Sequence, residues 1–416
     1  MIASRWPMHE EDEIAAVAEV LRSGRVNSLQ HGERCRAFER AFAQLCEMPY
    51  AIAVANGTLA LELALRAFGI GQGDEVIVTP RSFVASAACA ATCGATPVFA
   101  DVDRDSQNLT AAAVEAALTP RTRAIILVHL AGWPCAMDDL MSLARRHSLI
   151  VIEDCAQAHG ATWRGRQVGG FGDAAAFSFC TDKIMSIGGE GGMLLLREEA
   201  PWHRAWSYKD HGKSFASVHA PPSAPGFRWH HESFGSNWRL TEMQAALGER
   251  QLGKLLGWLA KRRENAKRLS DSLLDIPGLR LTLPPPEAGH AYYKYYTFVR
   301  PEQLRPDWSR QRVLEAIIAE GVPCFTGTCP EIYRELAFRE AGLRPAESLP
   351  VARALGETSL MFPVDGTLDG EAMDAIAQAV RKVMHAAVRS TTPTSRRLRP
   401  AVALAIAEAE GLGSQR

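Results

Sequence analysis

Along the first fifty positions apolar residues return every three or four places, which predicts two amphipathic helices, over residues 10–21 and 33–46. From residue 51 the rhythm changes. Short apolar runs at 51–55, 75–79, 96–100, 124–128, 149–152, 174–179 and 193–197 alternate with helical stretches at 59–68, 83–92, 109–118 and 138–147. Strands apolar on both faces, separated by helices, predict an α/β fold whose mostly parallel sheet is covered on both sides. Gly69, Gly71 and Gly73 follow a helix and precede a strand, the reverse of the context a dinucleotide-binding fingerprint needs, so they read as a turn.

Residues 206–238 lose the alternation but hold Trp206, Phe227, Trp229, Phe234 and Trp238, too many aromatics for a linker; this stretch should cover a site or an interface. Residues 241–274 read as one long helix or a broken pair. Beyond about 275, segments at 279–283, 292–299, 312–320, 351–355 and 370–384 suggest a smaller α+β unit, and the tail from Thr391 ends in an alanine-rich helix candidate. The expected organisation is a helical arm (1–50), a large α/β domain (51–250), a small C-terminal α+β domain with its linking helix (251–388) and a tail (389–416).

Composition narrows the partners. With 46 basic and 47 acidic residues the formal charge is -1, so no global field draws the chain to nucleic acid or an anionic membrane. No apolar run is long enough to span a bilayer, and acidic residues stand where a signal peptide would be basic, so a cytoplasmic location is expected. Nine cysteines without CxxC pairing suit reduced thiols, and His230-His231 lacks further ligands at zinc spacing, so no metal is expected.

The chemistry gathers on a few positions. Lys183 sits between an apolar run and Gly188, Gly189, Gly191 and Gly192, with Ser178 and Thr181 nearby. Asp154 ends a central strand, where such sheets place ligand chemistry, while Glu153 by alternation faces the other way. Asn56-Gly57-Thr58 opens a helix whose free N–H groups suit phosphate, although Thr58 could equally serve as a simple cap. A lysine able to form a Schiff base, an acid to keep a ring nitrogen protonated and a phosphate-ready helix start together fit pyridoxal phosphate.

Several motifs also carry a family resemblance: Asn56-Gly57-Thr58, GDEVIVTPRSFVASA, EDCAQAHGA, SFCTDKIMSIGGEGG and GSNWRLTEMQAALG. On these the chain resembles the DegT/StrS-type sugar-nucleotide aminotransferases, of fold type I, over nearly its whole length to about residue 387. The resemblance implies pyridoxal phosphate, with a pyridoxamine phosphate form, and transfer of an amino group from glutamate to a nucleotide-linked keto-sugar. It implies Lys183 as the Schiff-base lysine, Asp154 on the pyridine nitrogen, Gln157 on the ring hydroxyl side and Phe83 against the ring. Gly57, Thr58 and Ser178 would hold the phosphate with Asn237 from a neighbouring subunit, making a homodimer with shared active sites. His159, Trp229 and Arg239 are the candidate substrate contacts. Cys180 stands where relatives often have histidine, and GVPCFTGTCPEIY replaces a histidine-containing substrate loop. A sugar dehydratase, a synthase of an aromatic amino acid and a catalytically silent regulatory homologue stay open as alternatives; the first typically has histidine in place of Lys183.

Overall fold

The computed structural model describes residues 2–221 and 227–389, so the alanine-rich helix expected in the tail lies outside the described residues. A seven-stranded sheet runs, edge to edge, through Tyr50–Val54, Gly192–Leu196, Ala174–Ser178, Ile150–Asp154, Thr122–Val128, Glu75–Val78 and Thr96–Phe99. The last five of these are mutually parallel, and Gly192–Leu196 runs antiparallel to both its neighbours. The α/β reading with a mostly parallel sheet therefore holds.

Both faces are dry because successive side chains point to opposite sides and both sets are apolar. Val76, Val78 and Ile126 pack under the helices Gly57–Ala67 and Ala85–Thr92. Ile77, Ile125 and Val151 pack under the helix Met137–His147. Farther along that second face, Ala175, Phe177 and Leu195 meet Phe38 and Phe42 of the helix Glu33–Leu45.

The stretch 241–274 is one unbroken helix, Glu242–Leu273, not a broken pair. Its start is fixed by a reciprocal cap, in which Thr241 Oγ1 accepts from the Gln244 N–H and Gln244 Oε1 accepts from the Thr241 N–H. The three glycines inside it weaken the helix without breaking it, and Gly248 seats the Phe38 ring, which a Cβ there would approach to 2.6 Å. The expected boundary at residue 250 falls within this helix. Its first half belongs to the core under the large sheet and its second half, through Ala266, Leu269 and Leu273, to another. That second core is built on a three-stranded antiparallel sheet, Leu279–Leu281, Tyr295–Val299 and Ser359–Phe362, with the helices Arg310–Ala319 and Gly370–Ala387.

Among the elements that escape the sequence pattern are one strand and one helix. The strand Ser359–Phe362 follows the helix Pro350–Thr358 without an intervening turn residue. The helix Glu199–Lys209 runs into the start of the stretch 206–238 expected to be irregular, and its aromatic residues obscure the helical period.

Candidate active site

The parallel strands end on one edge of the sheet, and the chemistry-bearing residues follow them there. Asp154 closes Ile150–Asp154, Ser178 closes Ala174–Ser178, and Asn56 lies two residues past Tyr50–Val54. Because Gly192–Leu196 is antiparallel to Ala174–Ser178, the segment joining them must turn back at this same edge, and it carries Lys183. The result is a cavity of about 500 Å³ lined by Gly57, Thr58, Phe83, Asp154, Gln157, Ser178 and Lys183, with Cys180 and Glu190 in the wall.

One end of the cavity is the start of the helix Gly57–Ala67. Its cap is Asn56, whose Oδ1 accepts from the Leu59 N–H at 2.9 Å; Thr58 is not the cap and stands free in the cavity wall. The N–H groups at the first two helical positions, Gly57 and Thr58, have no partner within the helix. A Cβ on Gly57 would lie 2.6 Å from Ser178 Cβ, so only glycine lets the helix start abut that serine. Amide donors, a hydroxyl and a helix dipole here make a seat for phosphate.

At the other end stands Asp154, 5% exposed. Ser86 Oγ donates to its Oδ2 at 2.7 Å and the Ala156 N–H to its Oδ1 at 3.1 Å. Burial pushes its carboxyl above the ordinary range, against the pull of Ser86, Ala156 and Lys183. A carboxylate so placed calls for a cation in the cavity, and a protonated pyridine nitrogen is one. Gln157 Oε1 accepts from the Ala131 N–H at 2.8 Å, which leaves its NH2 as the donor available to the cavity. To bring that amide into place Ala131 adopts φ 57, a left-handed conformation uncommon for a residue with a Cβ.

Glu153, one position before Asp154, faces the opposite way, as alternation requires. It accepts from His129 Nε2 at 3.1 Å and from the amides of Gly169, Phe171 and Gly172 at 2.8 Å each. His129 Nδ1 accepts from the Cys135 N–H at 3.0 Å, so Nε2 carries the proton donated to Glu153. His129, Glu153 and Cys155 place potential ligand atoms within 4.8 Å of one another, but the histidine and the acid are already spent in this network.

Three expected substrate contacts do not reach the cavity. His159 is fully buried beside Phe42, Phe177 and Phe179, and neither ring nitrogen meets a hydrogen-bond partner among the described residues. Arg239 is bound to Asp210, which also pairs with Lys209 at 2.7 Å. Trp229 is 88% exposed on the aromatic loop, apart from this chain's cavity. Asn237, expected to act from a second subunit, is exposed and likewise outside it.

Sequence reasoning also missed residues that the structure brings in. Ser86 lies inside the motif GDEVIVTPRSFVASA, but nothing along the chain ties it to Asp154. Tyr293 arrives from the C-terminal half, its hydroxyl 3.5 Å from Lys183 Nζ. It lines a second cavity, of about 330 Å³, that shares Phe83, Gln157, Asp182 and Lys183 with the first.

The DegT/DnrJ/EryC1/StrS aminotransferase family model matches residues 7–381. An aminotransferase of known structure from Psychrobacter cryohalolentis is 50% identical, with a TM-score of 0.89 over 92% of this chain and 99% of that one. The dTDP-3-amino-3,4,6-trideoxy-alpha-D-glucose transaminase of Streptomyces venezuelae is 35% identical over 88% of this chain and 91% of its own. A UDP-N-acetyl-3-dehydro-alpha-D-glucosamine 3-aminotransferase of Acidithiobacillus ferrooxidans is 37% identical over 85% of this chain and 89% of its own. The match takes in all three sheets and every wall of the cavity, and the chain belongs to the DegT/DnrJ/EryC1/StrS aminotransferase family, whose members depend on pyridoxal phosphate.

Proposed function

We propose that this protein transfers an amino group from L-glutamate to a keto-sugar carried on a nucleotide, in the synthesis of an amino sugar. The observation that carries the reading is the single cavity holding Lys183, the buried Asp154 and an open helix start. The two relatives named for nucleotide sugars support the acceptor class.

Pyridoxal phosphate, when bound, supplies an electron sink that stabilises negative charge on the carbon losing its proton. Gly57, Thr58 and Ser178 would hold its phosphate, and Asp154, braced by Ser86, would keep its ring nitrogen protonated. Phe83 would lie against the ring and Gln157 would donate to its hydroxyl side. Lys183 would be the covalent anchor. With its amine free, Nζ would take up the proton lost from the donor's α-carbon and give it back two atoms away, and in the second half-reaction it would work in reverse. One base on one face serves both directions. The retained lysine favours amino transfer over dehydration.

A homodimer completes the site in this reading, with Asn237 reaching the phosphate from the second copy. The exposed Asn237 and the aromatic loop, where Phe227, Trp229 and Phe234 are 78%, 88% and 100% exposed, support it. A cytoplasmic location fits a chain in which no helix among the described residues is long and apolar enough to cross a membrane.

The test is a mass-spectrometric screen of nucleotide keto-sugars with glutamate, with Lys183→Ala as control. The expected result is an amino sugar from the parent enzyme and a rate lower by about a thousand-fold in the variant. No aminated product from any keto-sugar, or full turnover by Lys183→Ala, would overturn the assignment.

A further inference from the structure

The backbone of Lys183 is held from two directions. Trp6 Nε1 donates to the Lys183 carbonyl at 2.8 Å, and the Lys183 N–H donates to the Cys180 carbonyl at 3.0 Å. With the main chain pinned, what can move is the four-carbon side chain. Its Nζ lies 3.5 Å from Asp182 Oδ1 and 3.5 Å from the Tyr293 hydroxyl, with the Tyr293 ring centre at 4.9 Å. The Tyr293 hydroxyl in turn donates to Asp182 Oδ2.

Tyr293 is itself firmly placed. It is 7% exposed, its N–H donates to the Ala131 carbonyl at 2.8 Å, and Arg262 Nη1 reaches its own carbonyl at 3.3 Å. The Asp182 side chain, by contrast, is 55% exposed. Burial pushes its carboxyl up, but Lys183 and the Tyr293 hydroxyl outweigh this and hold it below the usual range, so it carries its charge.

We propose that Asp182 and Tyr293 form a docking post for the Lys183 ammonium: whenever the lysine is not covalently engaged, Nζ pairs with Asp182 Oδ1, and Tyr293 keeps that carboxylate turned toward it. The inference rests on the aminotransferase reading, because a lysine released and recaptured in every half-reaction needs a fixed resting place. A free lysine side chain has many rotamers; a partner on one side confines it close to where it must react. Because Asp182 is open to water, the pair is screened and lets the amine go. Both are positioning residues and act through Lys183.

The test reads Lys183 directly. Full-length protein freed of cofactor is treated with limiting acetic anhydride at one fixed pH, and the rate of acylation at Lys183 is followed by peptide mass spectrometry. Asp182 Oδ1 holds Nζ in an ion pair, so Asp182→Asn, which removes that partner, should raise the rate roughly three- to ten-fold. Tyr293→Phe should raise it by less, and the double variant no further than Asp182→Asn alone, since Tyr293 acts through the carboxylate. A rate unchanged in Asp182→Asn, or independent additive gains in the double variant, would overturn the proposal. The acylation requires no turnover, so its failure is distinct from failure of the keto-sugar screen.

Discussion

Asp154 and His159 lie five residues apart and are both buried, yet their surroundings give them opposite fates. Asp154 has Ser86 and an amide to hold it and opens onto the cavity. His159 is boxed in by aromatic rings, and burial, helped by the charges of Lys183 and Arg262, drives its imidazole down from 6.5 to about 3. The folded protein therefore keeps it neutral. Below pH about 6.5 the unfolded chain binds a proton that the folded chain refuses, so stability falls as the pH drops through that value and goes on falling toward 3. His159→Leu should remove this term, widening the stability gap in its favour by about 1 kcal/mol between about pH 7.5 and about pH 5.5. Urea unfolding at the two pH values measures it, and an unchanged gap would refute it. That Lys183, Asp154, Gly57 and Thr58 would gather at one cavity was legible from place along the chain: a strand end, a helix start, a glycine cluster. Ser86 and Tyr293 meet Asp154 and Lys183 only through folding, from 68 and 110 positions away in the chain. Arg239, which only the family resemblance offered as a substrate contact, is paired with Asp210, a partner that the sequence pattern does not reveal.

At the level of the element, regular periodicity was legible and its interruption was not. A break in Glu242–Leu273 stayed open, and the glycines within it differ, Gly253 and Gly257 lying open and Gly248 packed. A Cβ at Gly253 would meet nothing within 4 Å, whereas one at Gly248 would strike the Phe38 ring. Gly253→Ala should then stabilise the protein by up to about 1 kcal/mol through helix propensity, while Gly248→Ala should destabilise it by about 1–3 kcal/mol through overpacking. Denaturant midpoints of the two variants test this; equal shifts of the same sign would contradict the packing account. The strand Ser359–Phe362 shows the complementary limit, since four residues abutting a helix give too short a run for a period of two to emerge.

On the scale of the whole molecule, the alternation of strands and helices was enough for the parallel sheet, but not for how one copy meets another. If Asn237 serves the cavity of a second chain, Lys183→Ala and Asn237→Ala subunits, each nearly inactive, should complement when mixed. Random reassociation puts one intact site in each hybrid dimer and restores about a quarter of the parental activity. No recovery after verified subunit exchange would place Asn237 outside the shared site. The strand order has another outcome, felt during synthesis. Tyr50–Val54 pairs with Gly192–Leu196, the last strand of its sheet to be made. The leading edge of the sheet must therefore leave the ribosome and wait, its hydrogen-bonding groups unpaired, until most of the large sheet has followed. Tyr50–Val54 leads into the helix start that walls the cavity, so docking of that late strand ties this wall to the sheet, and the nascent chain is most exposed to mispairing in the interval before it.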